Sequence, residues 1–163
     1  MTMEPAGQQV ASSSEEEKFL GFVRETEPRL RRALIAAYGT QRGREATAEA
    51  LGYAWEHRSE LEKMDNPVGY LYRVAQSRSR ERRRPPAVFE RPASEDLWVE
   101  PGLPAALTAL PERQRVAVLL VYGAEWTLAE TAALLEISRS SVQRHLERGL
   151  AKLRRTMKVD DDV

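Results

Sequence analysis

The stretch from Thr127 to Leu153 constrains the fold more than any other, because it marks the starts of two helices and leaves only a short turn between them. Thr127-Leu-Ala-Glu130 sets a hydroxyl and a carboxylate three residues apart, the spacing at which each side chain bonds the other residue's backbone N–H and opens a helix. That helix is short, about Leu128 to Leu135. Ser138 offers a second N-cap, and Ile137 before it can pack back against Val142. From there Val142, Leu146, Leu150 and Leu153 recur at helical spacing, which predicts one apolar stripe on the second helix.

The opposite face of that helix carries Arg139, Ser140, Gln143, Arg144, Glu147 and Arg148. A charged face is most often a solvated surface. Here a capped helix precedes it, the turn is short, and the polar groups are those that read base edges. Arginine bonds guanine bidentately, glutamine bonds adenine, and a carboxylate accepts from cytosine. The pattern therefore predicts a helix-turn-helix that packs one side on its own domain and projects the other into a major groove about 12 Å wide. Ser138, Ser140 and the free amides of the first turn suit a phosphate. Lys152, Arg154, Arg155 and Lys158 add attraction that is independent of sequence.

Elsewhere the chain is helical too, with no strand-like alternation. Residues 1–14 read as a disordered lead, with the serines at 12–14 capping a helix that begins at about residue 15. Phe19, Leu20, Phe22, Val23, Leu30, Leu34, Ile35 and Tyr38 supply its apolar positions, and Gly39 stops it. A second helix over about Arg44 to Leu61 places Ala48, Leu51 and Trp55 on one face, where Trp55 is expected in the core. A third has Asn66 as its N-cap, Pro67 in its first turn, and Val68, Leu71, Val74 and Ala75 inward, and it runs to Arg84. Residues 85–102 hold Pro85, Pro86, Pro92 and Pro101 among scattered acids, and so predict a flexible linker that keeps two domains apart. After it come a stripe of Leu103, Leu107 and Leu110, then a helix opened by Pro111 and closed by Gly123. The expected fold class is all-α, with two small helical domains at 15–84 and 103–157 and an acidic tail at 158–163.

Charge enters through its distribution. Lys and Arg total 25, as do Asp and Glu, but bases gather at 78–84 and 139–158 while acids gather at 15–17, 90–100 and 160–162. With no cysteine and only His57 and His145, the chain lacks the means for a disulfide framework, a thiolate metal site or a catalytic triad. No carboxylate pair is set off by apolar neighbours, and no glycine-rich loop follows a strand, so no enzyme, catalytic residue, metal site or cofactor is expected. No run approaches 18 apolar residues and no signal-peptide pattern opens the chain, so a cytoplasmic protein without membrane contact is expected. An ordinary helix-turn-helix repressor shares the second domain but needs a dimer or ligand module in place of the first. A helical protein of interaction alone predicts no salt-sensitive DNA binding.

Leu110-Pro-Glu-Arg-Gln-Arg115, Tyr122-Gly123, the nine residues from Thr127 and the nine from Ser138 closely resemble region 4 of the sigma-70 family. The two-domain layout resembles the extracytoplasmic-function group of that family, which keeps only regions 2 and 4. The resemblance implies a promoter-recognition subunit that binds core RNA polymerase and promoter DNA, with an anti-sigma protein as a further candidate partner. It implies that Arg139, Ser140, Ser141, Gln143, Arg144, Glu147 and Arg148 read the −35 duplex. It implies that Lys63, Asn66, Tyr70, Arg73, Ser77 and Arg78 capture the −10 strand, with rings at Tyr70 and Tyr72 as candidate stacking surfaces. Glu45, Glu49, Leu51 and Trp55 take the place of the polymerase-clamp contact. The sequence departs from the family at Thr131 (usually isoleucine), Glu136 (usually glycine), Tyr70 (often tryptophan), Ser77 (often asparagine) and Ala48 (usually glutamine). The last departure leaves open a sigma-like DNA-binding regulator that does not engage polymerase productively. A turn requiring positive φ would strain Glu136.

Overall fold

The computed structural model describes residues 6–80 and 100–160. Among these residues the secondary structure is α-helical apart from one π-helical turn, and no strand occurs. Helix α1 (Ala6–Tyr38) carries Pro28 inside it and buries Leu30, Ala33, Leu34, Ala36 and Ala37. The lead expected to be disordered through residue 14 is helical from Ala6. Ser12 lies inside the helix and faces Glu16 at 3.5 Å, so it is not a cap. Extending a helix requires no new nucleus, and the Ala, Gln and Glu of this segment are good helix formers.

Gly39 ends α1 with φ 83, and α2 (Thr40–Glu56) turns back along it. The two helices meet backbone to backbone at Gly43, where a Cβ would lie 2.5 Å from Ile35 Cα. The inward face of α2 is accordingly built from Gly43, Ala46, Thr47, Ala50 and Ala54. This reverses the expected face: Ala48 is exposed, Leu51 is half-buried, and Trp55 is 40% exposed. Small residues win the inward position because they let α1 approach more closely than a Leu/Trp stripe would.

After α3 (Arg58–Leu61), helix α4 (Pro67–Arg80) begins at the expected cap, with Asn66 Oδ1 accepting from Gly69 N at 3.0 Å. Its buried residues are Leu71, Tyr72 and Ala75. Residues 81–84 of the predicted third helix, and 85–99 of the predicted linker, lie outside the described residues. The chain resumes with α5 (Leu103–Thr108), α6 (Glu112–Val118), a π-helical turn (Leu119–Gly123), α7 (Leu128–Leu135) and α8 (Arg139–Asp160). Ala106, Leu107, Leu110, Ala117, Val118, Ala132, Val142, Leu146 and Leu153 form the core of this half. Gly149 lets α8 lie close on α6, since a Cβ there would come within 2.9 Å of Val118 Cγ2.

The two halves are not held apart as the prolines between them suggested. Leu30, Leu34, Leu71 and Tyr72 of the first share one apolar cluster with Val116, Leu120, Trp126 and Leu134 of the second. Arg115 of α6 is buried at the seam and donates Nε–H to Ala36 O at 2.9 Å, Nη2–H to Ala37 O, and Nη1–H to Leu110 O at 2.7 Å. Apolar area on α1 and α4 is available for burial, and its burial draws the two halves together.

The seam is imperfectly satisfied. Tyr72 Oη and Glu112 Oε1 are buried without a hydrogen-bond partner among the described residues. Burial first, and then the nearby Glu112 carboxylate, push the Tyr72 hydroxyl far above its ordinary pKa, so it stays protonated. An orphaned buried hydroxyl is unfavourable. Tyr72→Phe is therefore expected to raise stability by about 1 kcal/mol, read as a higher urea midpoint at unchanged m-value. A lower midpoint would mean that the hydroxyl has a partner.

Candidate nucleic-acid interface

The start of α7 forms the predicted capping box. Thr127 Oγ1 accepts from Glu130 N at 3.1 Å, and Thr127 N donates to Glu130 Oε2 at 2.8 Å. The Thr127 backbone N–H, and then its hydroxyl, which donates to the same Oε2 at 3.1 Å, hold the Glu130 carboxyl below its ordinary pKa, with Arg29 adding a lesser effect. Thr131 is fully buried, yet its Oγ1 donates to Thr127 O at 3.0 Å, so a hydroxyl in place of an apolar side chain leaves no orphan. The turn does require positive φ: Glu136 ends α7 at φ 53, ψ 45, in the left-handed region that favours glycine. Ser138 then caps α8, its Oγ accepting from Ser141 N at 3.1 Å and lying 2.9 Å from the hydroxyls of Ser140 and Ser141.

On α8, Val142, Leu146 and Leu153 are buried and Leu150 is half-buried, which fixes the helix's rotation. Arg139, Ser140, Gln143, Arg144, Glu147 and Arg148 are consequently exposed, with Ser141 half-buried at their edge. Gln143 Nε2 donates to Glu147 Oε1 at 3.2 Å, which ties two candidate base readers together on the surface. Burial, then the cations Arg113, Arg148 and Arg144, lower the pKa of His145, so it is neutral at pH 7 within a positive field. Farther along, Arg154, Arg155 and Lys158 are exposed, while Lys152 Nζ donates to Ala109 O at 3.2 Å beyond the end of α5.

The residues expected to meet the −10 strand gather on α4 and the loop before it. Lys63, Ser77 and Arg78 are exposed. Tyr70 is half-buried, with the Arg73 guanidinium 5.8 Å from its ring centroid. Tyr72 is not part of this surface; at 1% exposure it is core. Tyr53 joins instead, a residue that sequence reasoning missed in this role. Its hydroxyl lies 2.9 Å from that of Tyr70, its ring stacks on His57 at 4.0 Å, and Arg78 sits over it at 5.3 Å. The tyrosine–tyrosine hydrogen bond, ahead of burial, raises the Tyr53 pKa. Only the alternation Tyr53-Ala-Trp55 hints at this, since the meeting of α2 with α4 is not local.

Two of the −10 candidates are engaged across the seam. Asn66 Nδ2 donates to Ala133 O at 2.8 Å, and Arg73 Nη2 lies 2.8 Å from Glu136 Oε1. Nearby, Arg29 stacks over Trp126 at 4.8 Å and faces Glu130 at 3.5 Å. The clamp candidates form an outward face of α2. Glu45 accepts from Gln41 Nε2 at 2.7 Å, Glu49 and Leu51 are half-buried, and Trp55 sits against the Phe19 ring and under the Arg58 guanidinium. No group of three or more His, Cys, Asp or Glu placed to hold a metal ion occurs among the described residues, and none of their helices is long and apolar enough to cross a membrane.

Residues 102–153 match the family model described as Sigma-70, region 4. The fold is similar to that of the sigma factor RpoE from Bartonella quintana, solved in complex with the anti-sigma factor NepR. That similarity has a TM-score of 0.67 at 19% identity and covers 88% of this chain and 99% of the other. It extends over both helical halves, so the likeness is one of overall fold. No curated protein sequence gives a significant match.

Proposed function

We propose that this chain, whose residues 102–153 form a sigma-70 region 4 segment on a sigma-factor fold, is a promoter-recognition sigma factor of the extracytoplasmic-function group. It joins core RNA polymerase and directs it to promoters, with α8 reading the −35 duplex and the α2–α4 surface taking the −10 strand. The observation that carries this reading is the rotation of α8. Its apolar stripe is buried, and Arg139, Gln143, Arg144, Glu147 and Arg148 all lie on one exposed face. Ser138 and its neighbouring hydroxyls at the helix start suit a backbone phosphate that sets register.

Polymerase engagement falls to the outward face of α2. Trp55, 40% exposed, and half-buried Leu51 beside Glu45 and Glu49 make an amphipathic surface of the kind that anchors a protein interface. Exposure of Trp55 favours this over a sigma-like regulator that never engages polymerase. Tethered to one polymerase, neither DNA contact need be tight alone. As the RpoE structure holds an anti-sigma factor, a partner of that kind is proposed here as well.

The Tyr70 ring tests the −10 assignment. Stacking of an unpaired base contributes about 1–3 kcal/mol. Tyr70→Ala is expected to weaken open-complex formation by about tenfold or more, read by a fluorescent base analogue in the −10 strand, with closed-complex binding nearly unchanged. Equal loss in both steps would contradict strand capture by Tyr70.

A further inference from the structure

We infer that duplex binding by α8 takes up a proton at His145, which becomes a charged contact to the DNA backbone. This rests on the proposed reading of the −35 duplex by that helix. His145 does not belong to the base-reading face. With Val142, Leu146 and Leu153 turned inward, Ser141, His145, Arg148 and Lys152 follow one another along a side edge of α8. That edge lies toward α5 and α6. Lys152 Nζ reaches Ala109 O at 3.2 Å, and a Cβ on Gly149 would stand 3.4 Å from Gln114 Cβ. The close approach at Gly149 brings exposed Arg113, the neighbour of Gln114, beside the half-buried His145 ring.

The charges that act on the ring are cations: Arg113 of α6, then Arg148 and Arg144 of α8. Other charged groups of the packed elements are engaged elsewhere. Glu112 lies at the seam beside Tyr72, where Arg115 bonds helix-end carbonyls. Glu130 is held by Thr127, Glu136 faces Arg73, and Glu147 accepts from Gln143. Helix α5 has no charged residue. In the free chain, burial and the three guanidinium groups keep the ring neutral. DNA reverses that balance. A duplex carries one negative charge per about 1.7 Å of its axis. Its phosphates cancel the repulsion among the guanidinium groups and offer the imidazolium a partner, so the complex holds the proton more tightly. The sign follows by linkage: the added binding is fully present below the free-state pKa and vanishes above that of the complex. Duplex reading therefore strengthens as pH falls below neutrality, while the arginine and glutamine contacts to base edges do not titrate there.

The chain holds only two histidines, His57 and His145, so NMR of the ring protons follows each, and His145→Gln assigns them. The probe is a short duplex that the full chain selects from a randomised pool at low salt. With the probe bound, the titration midpoint of His145 is expected to rise while that of His57 stays. Wild type is then expected to bind the probe about threefold to tenfold more tightly at about pH 5.5 than at about pH 7.5. His145→Gln is expected to lose this dependence. His145→Arg, a permanent cation, should bind alike at both pH values, with a salt slope steeper by about one charge than wild type at the higher pH. A His145 midpoint left unchanged or lowered by the duplex overturns the inference. The same pH dependence in wild type and His145→Gln does so too. A chain that selects no duplex overturns the −35 assignment, and the inference with it.

Discussion

Replacing Arg115 by alanine is expected to lower stability by about 3–5 kcal/mol, because it strips several buried carbonyls of charged hydrogen bonds that contribute about 1.5–3 kcal/mol each. The guanidinium is 4% exposed and lies where two helices end. Ala36 and Ala37 are in the last turn of α1, whose final carbonyls have no partner within the helix. Thr108 ends α5 and Leu110 follows it, and Nη1 reaches both of their carbonyls, at 3.4 Å and 2.7 Å. One planar fork thus closes two negatively polarised helix ends that face each other across the seam. Burial lowers the Arg115 pKa, while Glu112 opposes that shift, and an arginine stays charged at neutral pH regardless. Arg115→Lys keeps the charge but not the fork and should fall between wild type and alanine. A loss below about 1 kcal/mol for Arg115→Ala in urea unfolding would show that water satisfies these carbonyls equally well.

The second large effect is expected on DNA. Arg144→Ala and Arg148→Ala should each weaken duplex binding by about 1–3 kcal/mol, concentrated at particular base pairs. Both side chains are exposed on a helix whose opposite side is locked by Val142 and Leu146, so truncation removes a contact without disturbing the fold. Arg154→Ala, nearer the end of α8, should weaken all sequences alike and reduce the salt slope by about one charge. Binding measured against a panel of single-base variants separates the two behaviours. A uniform loss for Arg144 and Arg148 would reassign them to phosphate.

What the sequence revealed follows the range of the interactions. The capping box at Thr127, the Ser138 cap, the α8 stripe and the Asn66–Pro67 start are all set within a few residues, and each stands where periodicity and cap chemistry placed it. Non-local features were illegible. Nothing near Arg115 announces that its partners lie on α1, 78 and 79 residues away. Nothing near Glu136 announces Arg73. Small residues also hide a packing face: the glycine and alanines inside α2 carry no hydrophobic signal, so the stripe of Ala48, Leu51 and Trp55 suggests a core position for Trp55, although that stripe faces out. That misplacement bears on function, since an outward Trp55 is available to a partner and a core one is not.

The proposed role of this chain is to turn core RNA polymerase toward promoters. Its most direct test is run-off transcription by core polymerase with and without the purified chain, on templates randomised at the −35 and −10 positions, followed by sequencing of the transcribed templates. The account predicts association with core and transcripts that appear only with the chain, from templates enriched at two separated blocks, with Trp55→Ala reducing association. Salt-sensitive DNA binding with neither polymerase association nor transcripts would contradict it.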